Sequence, residues 1–471
     1  MAWSDATVNP RRWPYFLMVA AGVLISTMDS SMINVALPSI MRSFSTSLPA
    51  TQLVVLVYLS TITITLVVWG HLADIYGRGK IFLLGILIFS GAALGCFGAG
   101  SLGQLVAWRS LQGAGAAMMM SSGPAIIKMV FPPDQLGRGL GLVGLATSCG
   151  LMSGPVVSGL LIQYVSWRGI FLVTLPLSLA MFGVGRFYLR LNQDVPAARL
   201  TRRYDWKGFF LWAVAIFLFV SLISFYELMP LQIIALICIC LLFVLAAFVL
   251  VEREVEDPLI PSILFRRRYF STATITAALS FAVLFIVILL IPFFLDYILK
   301  LPADRIGLVM LALPSSLVIV SPLAGWLYDH IGARILTTSG LAVCCLAILS
   351  MAGFDTQTPL IEIFFKLSLL GAGQAIFLSP NSASILSRVE ERYTGVASGI
   401  LATARNLGML VGVGLAGSVF SLFFARYSGG GSLHTFQAEH VSHFLLALQW
   451  TFYLAASLSA AGCVLSSLRN S

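Results

Sequence analysis

The chain has 471 residues, of which 59% are hydrophobic and only 10% are charged, against about 25% charged residues in a soluble domain. Its mean hydropathy is +0.96, and this composition excludes an ordinary soluble globular protein. The formal net charge is +9. The placement of the basic residues, described below, explains this charge without a nucleic-acid partner.

Fourteen apolar stretches follow one another along the chain, each close to the roughly 20 residues that a helix needs to cross a membrane. The first is too long for a cleaved signal peptide and lacks a small-residue cleavage site after its apolar core. The pattern predicts an all-α polytopic membrane protein. The predicted spans are 14–36, 51–71, 81–100, 104–127, 139–163, 167–188, 206–225, 231–251, 269–295, 305–327, 334–353, 359–380, 394–423 and 444–466.

Lysine and arginine are distributed unevenly between the two sides of these spans. With the N-terminus placed inside, the inner connections hold twenty basic residues and the outer connections hold five. The positive-inside rule then predicts that both termini are cytoplasmic, and we expect the plasma (inner) membrane of a bacterium. The basic segments that flank spans seven and eight are expected to lie on anionic lipid headgroups.

The chain also contains an internal repeat. Six glycines, Gly113, Gly115, Gly141, Gly150, Gly154 and Gly159, recur 258 residues later as Gly371, Gly373, Gly399, Gly408, Gly412 and Gly417. The motif Gly-x-Leu-x-Asp-x-x-Gly at 70–77 recurs at 325–332. Two repeated membrane halves with a substrate site between them are the architecture of secondary transporters.

The repeat covers spans 1–6 and 9–14, and the pair at 206–251 has no counterpart. We therefore expect three parts. Residues 1–190 form an N-terminal six-helix bundle, residues 191–268 form linkers and an inserted two-helix hairpin, and residues 269–471 form a C-terminal six-helix bundle.

Asp29 is the only acid deep inside any predicted span, and Arg109 reaches a similar depth from span 4. A charged side chain there costs about 3 kcal/mol on insertion scales, so a function and a partner are expected. Burial favours a protonated carboxylate and a nearby arginine favours a charged one, which is the basis of a proton switch. The alternative is a static ion pair that holds spans 1 and 4 together.

Four motifs carry a resemblance to a known family. They begin with Met28-Asp29 at the end of span 1, Gly70-His-Leu-Ala-Asp74 between spans 2 and 3, Arg109-Ser-Leu-Gln112 in span 4 and Gly150-Leu-Met-Ser-Gly154-Pro155 in span 5. With these motifs the chain resembles the major facilitator superfamily, and within it the fourteen-span drug:proton antiporters of the EmrB/QacA type. The resemblance implies two six-helix bundles plus two extra central helices.

The same resemblance assigns roles to residues. It implies proton coupling by Asp29 and Arg109, and an antiporter motif of Gly150, Gly154, Pro155 and Gly159. It implies a cytoplasmic gate formed by Asp74, Gly77, Arg78, Arg138 and Asp329. From the residues alone, the gate motif could be a tight turn with ordinary topogenic charges, and the span 5 glycines could serve close helix packing.

Other polar residues within spans are candidates for a substrate cavity, although most such residues in an apolar protein face lipid or core. The candidates are Asn34, Gln112, Met119, Gln374, Asn381 and Arg405. Asp296, Glu362 and Lys366 lie at outer helix ends and are interpreted as solvated charges. Because the second half carries no buried carboxylate, a neutral or singly charged amphiphile fits better than a polycation.

The sequence therefore predicts a proton-coupled exporter of amphipathic small molecules that works by alternating access, surrounded by membrane lipids and expected to be a monomer. Export or flipping of a lipid or lipid-linked envelope precursor is the alternative, and a non-transporting receptor is a third. The chain shows no phosphate loop and no nucleophile with a base, so we expect no enzyme. The seven cysteines have no metal-ligand spacing, and we expect no metal and no cofactor.

Overall fold

The computed structural model describes residues 12–131, 136–189, 205–225, 229–255, 262–389, 394–431, 433 and 436–469. Within these ranges the regular structure is helical. Thirteen stretches of the described helices are long and apolar enough to cross a membrane. The remaining predicted span, 104–127, also falls on a long helix. It is not among the thirteen, because Arg109 and several small or polar residues make it less apolar.

The described part of the first half contains six long helices and two short ones. They are α1 (Arg12–Phe44), α2 (Leu48–Thr51), α3 (Leu53–Tyr76), α4 (Arg78–Phe97), α5 (Leu102–Val130), α6 (Leu136–Tyr164), α7 (Gly169–Leu172) and α8 (Leu175–Leu189). Helix α6 packs along α1, and α3 and α4 both pack on α5.

From residue 205 onwards, the described ranges contain eight long α-helices and two short ones. They are α9 (Trp206–Phe225), α10 (Leu231–Glu254), α11 (Ser262–Phe265), α12 (Arg268–Phe293), α13 (Ala303–Met310), α14 (Ala312–Ile331), α15 (Ala333–Met351), α16 (Leu360–Leu386), α17 (Thr394–Tyr427) and α18 (Val441–Ser467). A π-helical turn, Phe294–Ile298, continues α12. Helix α17 packs along α12, and α14 and α15 both pack on α16.

The internal repeat is visible in the packing of these helices. A Cβ atom at Gly85 would lie 2.9 Å from the carbonyl oxygen of Gly115, and one at Gly340 would lie 2.7 Å from that of Gly373. Both pairs thus bring two helix backbones into contact, which only glycine permits. The α4–α5 contact of the first half therefore recurs as the α15–α16 contact of the second half.

Helix α9 packs against both halves. Helix α10 packs mainly on the outer side of α9. Trp212 of α9 donates its indole N–H to the carbonyl oxygen of Thr63 in α3, at 3.3 Å. Ser418 of α17 donates its hydroxyl to the carbonyl oxygen of Ile223 in α9, at 2.9 Å. The apolar side chains of α10 are largely exposed, as expected for a helix that faces lipid.

The two halves meet at one end of the molecule. We call the end where α1 begins and α18 ends the terminal face, and the opposite end the distal face. The largest cluster of buried apolar side chains joins the halves and includes Leu37 of α1 and Leu290 of α12. Nearer the terminal face, the second half has a separate cluster that includes Phe270 and Phe377. The apolar core is therefore shared towards the distal face.

Candidate functional site: a buried ion pair between two closely packed halves

A buried ion pair joins α1 to α5. Arg109 donates from Nη1 to Oδ2 of Asp29 at 2.6 Å, and Gln112 donates from Nε2 to Oδ1 of Asp29 at 3.0 Å. The Asp29 and Arg109 side chains are 2% and 0% exposed. Both carboxylate oxygens accept hydrogen bonds, which is the arrangement of an ionised carboxylate.

Four helices of the first half position the arginine. Arg109 and Gln112 are three residues apart on α5 and share one helix face, and Nη1 of Arg109 also donates to Oε1 of Gln112 at 2.8 Å. From α3, the carbonyl oxygen of Val54 accepts from Nε of Arg109 at 3.2 Å. The Tyr58 ring lies 4.1 Å from the guanidinium carbon. Cys96 of α4 donates to Oε1 of Gln112 at 3.7 Å.

The electrostatics of this pair depend on both partners. Removing two charges from water costs several kcal/mol per ion, and the pair recovers this cost only through its close contact and its hydrogen bonds. A proton added to Asp29 would remove one charge and leave Arg109 uncompensated. The pair is therefore an arrangement in which gain of a proton changes the forces between α1 and α5.

The gate residues of the sequence prediction lie at the terminal face, and the structure describes some of their side chains. Gly77 and Gly332 have φ angles of +103° and +77°, which glycine adopts without strain. They separate α3 from α4 and α14 from α15. Arg78 donates to the carbonyl oxygen of Ala125 in its own half, at 3.4 Å. Asp329 is exposed.

Two residues predicted for the gate cannot be placed in the same way. The side chains of Asp74, in α3, and of Arg138, in α6, lie outside the described residues. Their role in a gate stays a prediction.

The span 5 motif packs α6 against α1 in its first part. A Cβ atom at Gly150 would lie 2.6 Å from the carbonyl oxygen of Leu24, and one at Gly154 would lie 2.9 Å from that of Met28. In the second half, Gly408 and Gly412 press in the same way on Ala278 and Ala282 of α12. These glycines therefore hold each half together.

The last glycine of the motif faces the other half. A Cβ atom at Gly159 would lie 2.5 Å from the carbonyl oxygen of Ala303 in α13, and one at Gly307 of α13 would overlap the carbonyl oxygen of Pro155. The repeat partner of Gly159 is Gly417, where a Cβ would overlap the side chain of Gln52. The two repeat-related glycines, Gly159 and Gly417, thus provide two separate close contacts between the halves near the distal face.

An ion pair also joins the halves at the distal face. Arg42 of α1 pairs with Asp296 in the π-helical turn after α12. The Asp296 side chain is 14% exposed, so the interpretation of Asp296 as a solvated charge is wrong. Its sequence position at a helix end gave no sign that the first half packs against it. Lys366 pairs with Glu362 on its own helix at 2.6 Å, and that pair remains partly exposed.

The residues predicted to line a cavity in the first half are buried within that half. Gln112 belongs to the Asp29 network described above. Asn34 donates to the carbonyl oxygen of Ser30 at 3.0 Å, and its own side-chain oxygen is buried without a donor in the described part of the chain. Met119 is buried beside Gly22 and Gly85.

The predicted cavity residues of the second half have separate partners. Ser280 donates to Oε1 of Gln374 at 2.6 Å. Asn381 accepts from Nη1 of Arg469 at 2.9 Å. Burial lowers the pKa of Arg469 to about 10, so this arginine is charged at neutral pH. Arg405 donates from Nη2 to Ser382 at 2.6 Å.

Sequence reasoning did not identify three contacts of the site. They are the Tyr58 ring beneath Arg109, the Gln52 side chain opposite Gly417 and the hydroxyl of Ser158, which donates to the carbonyl oxygen of Met32 at 2.8 Å. Tyr58 and Gln52 contact residues that are more than 50 positions away in the sequence. Ser158 lies one residue before Gly159, and its place beside that motif was the available signal.

Comparison with known proteins identifies the family. The sequence model of the Major Facilitator Superfamily matches residues 19–413 and, in an overlapping match, residues 273–469. The chain belongs to the Major Facilitator Superfamily. It is therefore an integral membrane transporter and not an enzyme.

Several relatives are named transporters or resistance proteins. The chain is 29% identical over 458 residues to the riboflavin transporter RibZ of Clostridioides difficile (strain 630), which covers 97% of each chain. It is 29% identical to the multidrug resistance protein Stp of Mycobacterium tuberculosis, over 86% of this chain and 75% of that protein. It is 26% identical to the tetracenomycin C resistance and export protein of Streptomyces glaucescens, over 86% and 76%.

The fold is also found among solved structures. A bacterial homologue of the human lysosomal transporter Spinster, solved in an inward-facing and unoccupied conformation, superimposes with a TM-score of 0.71. The match covers 98% of this chain and 97% of that chain at 16% sequence identity. At that identity the likeness establishes the fold alone.

Proposed function

We propose that the protein is a proton-coupled antiporter that exports amphipathic, mostly hydrophobic small molecules. It would be a fourteen-span transporter of the EmrB/QacA type in a bacterial plasma membrane, with both termini cytoplasmic, working as a monomer among membrane lipids. The division into 1–190, 191–268 and 269–471 belongs to the same proposal. The buried Asp29–Arg109 pair is the observation that supports it most directly.

Proton coupling needs a group whose charge changes inside the membrane. The ionised form of Asp29 accepts from Arg109 and Gln112, and protonation removes the attraction between them. We infer that Asp29 carries the proton and that Arg109 competes with the proton for the carboxylate. The paired state then corresponds to the transporter after it has released its proton.

Alternating access needs contacts that exist on one side at a time. Gly159, Gly417 and the Arg42–Asp296 pair all join the halves at the distal face. If the terminal face is cytoplasmic, this conformation is closed to the outside. The gate of Asp74, Gly77, Arg78, Arg138 and Asp329 would then form when the halves rock to close the terminal face.

The names of the relatives favour small-molecule cargo over a lipid precursor. Two of them are described by drug resistance or export, and one by transport of a soluble vitamin. No described contact of this chain points separately to a lipid cargo, so we keep export of small molecules as the proposal.

The test is transport by Asp29→Asn in inverted membrane vesicles. The probes are two fluorescent amphiphiles, neutral N-phenyl-1-naphthylamine and its anionic analogue 8-anilinonaphthalene-1-sulfonate. We expect uptake driven by a proton gradient in the unmodified protein and uptake at the level of empty vesicles in Asp29→Asn. The matched control is Asp355→Asn, which changes an exposed loop aspartate. Wild-type uptake by Asp29→Asn would contradict the proton-coupling role.

A further inference from the structure

Among the residues that the structure describes, Arg405 of the second half has only a neutral side-chain partner. Its Nη2 donates to the hydroxyl of Ser382 in α16 at 2.6 Å. The Phe281 ring of α12 lies 5.8 Å from its guanidinium carbon. Its Nε is buried and has no acceptor among the residues that the structure describes. Three helices therefore hold the guanidinium, but none of these contacts supplies a negative charge.

Arg405 differs from the two arginines that are paired with carboxylates. It shares with Arg469 the lack of a carboxylate partner among the described residues, but Arg469 is held by Asn381 and Ser384. Arg109 is paired with Asp29, and Arg42 is paired with Asp296. Within the described part of the second half, no carboxylate forms an ion pair with Arg405. Buried arginines in membranes are paired or mark a substrate path. The missing counter-charge is thus a property of this site that the packing of the chain does not explain.

Arg405 lies between the terminal face and the contacts that join the two halves. It is eleven residues after Thr394, the first residue of α17, and so about 16 Å along the helix from that face. Arg405 and Ser382 are both partly exposed. The contacts that close the molecule between its halves lie at the distal face, beyond Arg405. The guanidinium is therefore on the terminal side of those contacts.

We propose that Arg405 binds the anionic group of those substrates that carry one, so that the exported class includes amphipathic organic carboxylates and sulfonates. The guanidinium supplies a planar donor to an anionic oxygen, Ser382 fixes its orientation, and the Phe281 ring packs beside it. This proposal rests on the proposed export function and names its substrate class. An anionic lipid headgroup shares this chemistry and is distinguished below.

The experiment measures equilibrium binding without a proton gradient. Purified protein is titrated with 8-anilinonaphthalene-1-sulfonate and with neutral N-phenyl-1-naphthylamine. We expect Arg405→Gln to weaken binding of the sulfonate about tenfold, the effect of losing one charge-assisted contact, and to leave binding of the neutral dye unchanged. The matched control is Lys366→Gln, which removes a cation that already has a carboxylate partner. Equal losses for both dyes, or no loss for the sulfonate, would overturn the proposal.

Two further measurements keep the test decisive. If Arg405→Gln does not fold, displacement of the bound dye from the unmodified protein by naphthalene-1-sulfonate is compared with displacement by naphthalene-1-sulfonamide. Equal displacement by the neutral amide would overturn the proposal. In nanodiscs, loss of dye binding on adding phosphatidylglycerol to phosphatidylcholine, seen only with Arg405 present, would assign the site to a lipid headgroup instead of a free substrate. Because no step needs a gradient, failure of proton coupling in Asp29→Asn leaves this result interpretable.

Discussion

Gln112 is the residue that completes the buried ion pair. Its amide accepts from Arg109 and donates to the second oxygen of Asp29, so each atom of the amide has a charged partner. Hydrogen bonds to the remaining donors and acceptors offset part of the cost of burying a pair of charges. The carbonyl oxygen of Val54 accepts from Nε of Arg109 and the Tyr58 ring packs on the guanidinium, whereas Nη2 is buried without an acceptor among the described residues.

We expect Gln112→Leu to lower the free energy of unfolding by about 1–3 kcal/mol, because it leaves charged groups unsatisfied in an apolar interior. Thermal unfolding of the purified protein in detergent measures the change. Gln163→Leu is the matched control, since Gln163 of α6 is exposed and forms no side-chain hydrogen bond with the described residues. Equal melting temperatures for the two variants would show that the amide does not support the pair.

The sequence indicated some of this site at the residue scale. Asp29 and Arg109 stood out because charges within apolar helices are rare, and the structure brings them together. Gln112 was assigned to a cavity, although its position three residues after Arg109 could have predicted a shared helix face. The Arg42–Asp296 contact had no sequence signal, because its partners are far apart in the chain and meet only through the packing of the two halves.

At the scale of helices, the repeated glycines make two kinds of close contact, one within a half and one between the halves. Gly150 and Gly154 pack α6 on α1, and Gly408 and Gly412 pack α17 on α12. Gly159 and Gly417 instead meet the opposite half. Spacing alone predicts close helix contacts for all of them but does not say which helix is the partner, because the partner depends on how the halves are arranged in this conformation.

We expect Gly159→Ala to open the distal face, because its methyl group would lie 2.5 Å from the carbonyl oxygen of Ala303. Distances between spin labels at positions 43 and 300, on the distal side of the two halves, should lengthen in this variant. Gly183→Ala is the matched control, since a Cβ atom there meets nothing within 4 Å. An unchanged distance distribution in Gly159→Ala would contradict the assignment of this glycine to the seal.

For the whole molecule, the halves are similar in backbone packing and different in charge. The α4–α5 contact recurs as α15–α16, but the first half buries an ion pair and the second half holds Arg405 without a carboxylate partner in its described part. The repeat predicted the common architecture. It could not predict this difference, because the glycines that define the repeat report backbone contact and not the chemistry of neighbouring side chains.

Helix α9 adds a connection that the repeat does not contain, and its position was not predictable from its evenly apolar sequence. It bonds to Thr63 in the first half and to Ser418 in the second. If the halves rock as proposed, a rigid helix cannot keep both bonds unless it moves with both halves. We infer that these bonds favour the present conformation, because a contact found in only one state shifts the equilibrium towards that state.

We therefore expect Ser418→Ala, alone and combined with Trp212→Phe, to reduce the population of the present conformation. Each lost hydrogen bond is worth about 1 kcal/mol, or about fivefold in population if the alternative conformation lacks it. Spin labels at positions 76 and 396, on the terminal face of α3 and α17, should show a shorter distance as that face closes. The control Ser457→Ala removes a hydroxyl that bonds only within α18 in the described structure. Identical distance distributions in the double variant and this control would mean that α9 moves with the halves and does not restrain them.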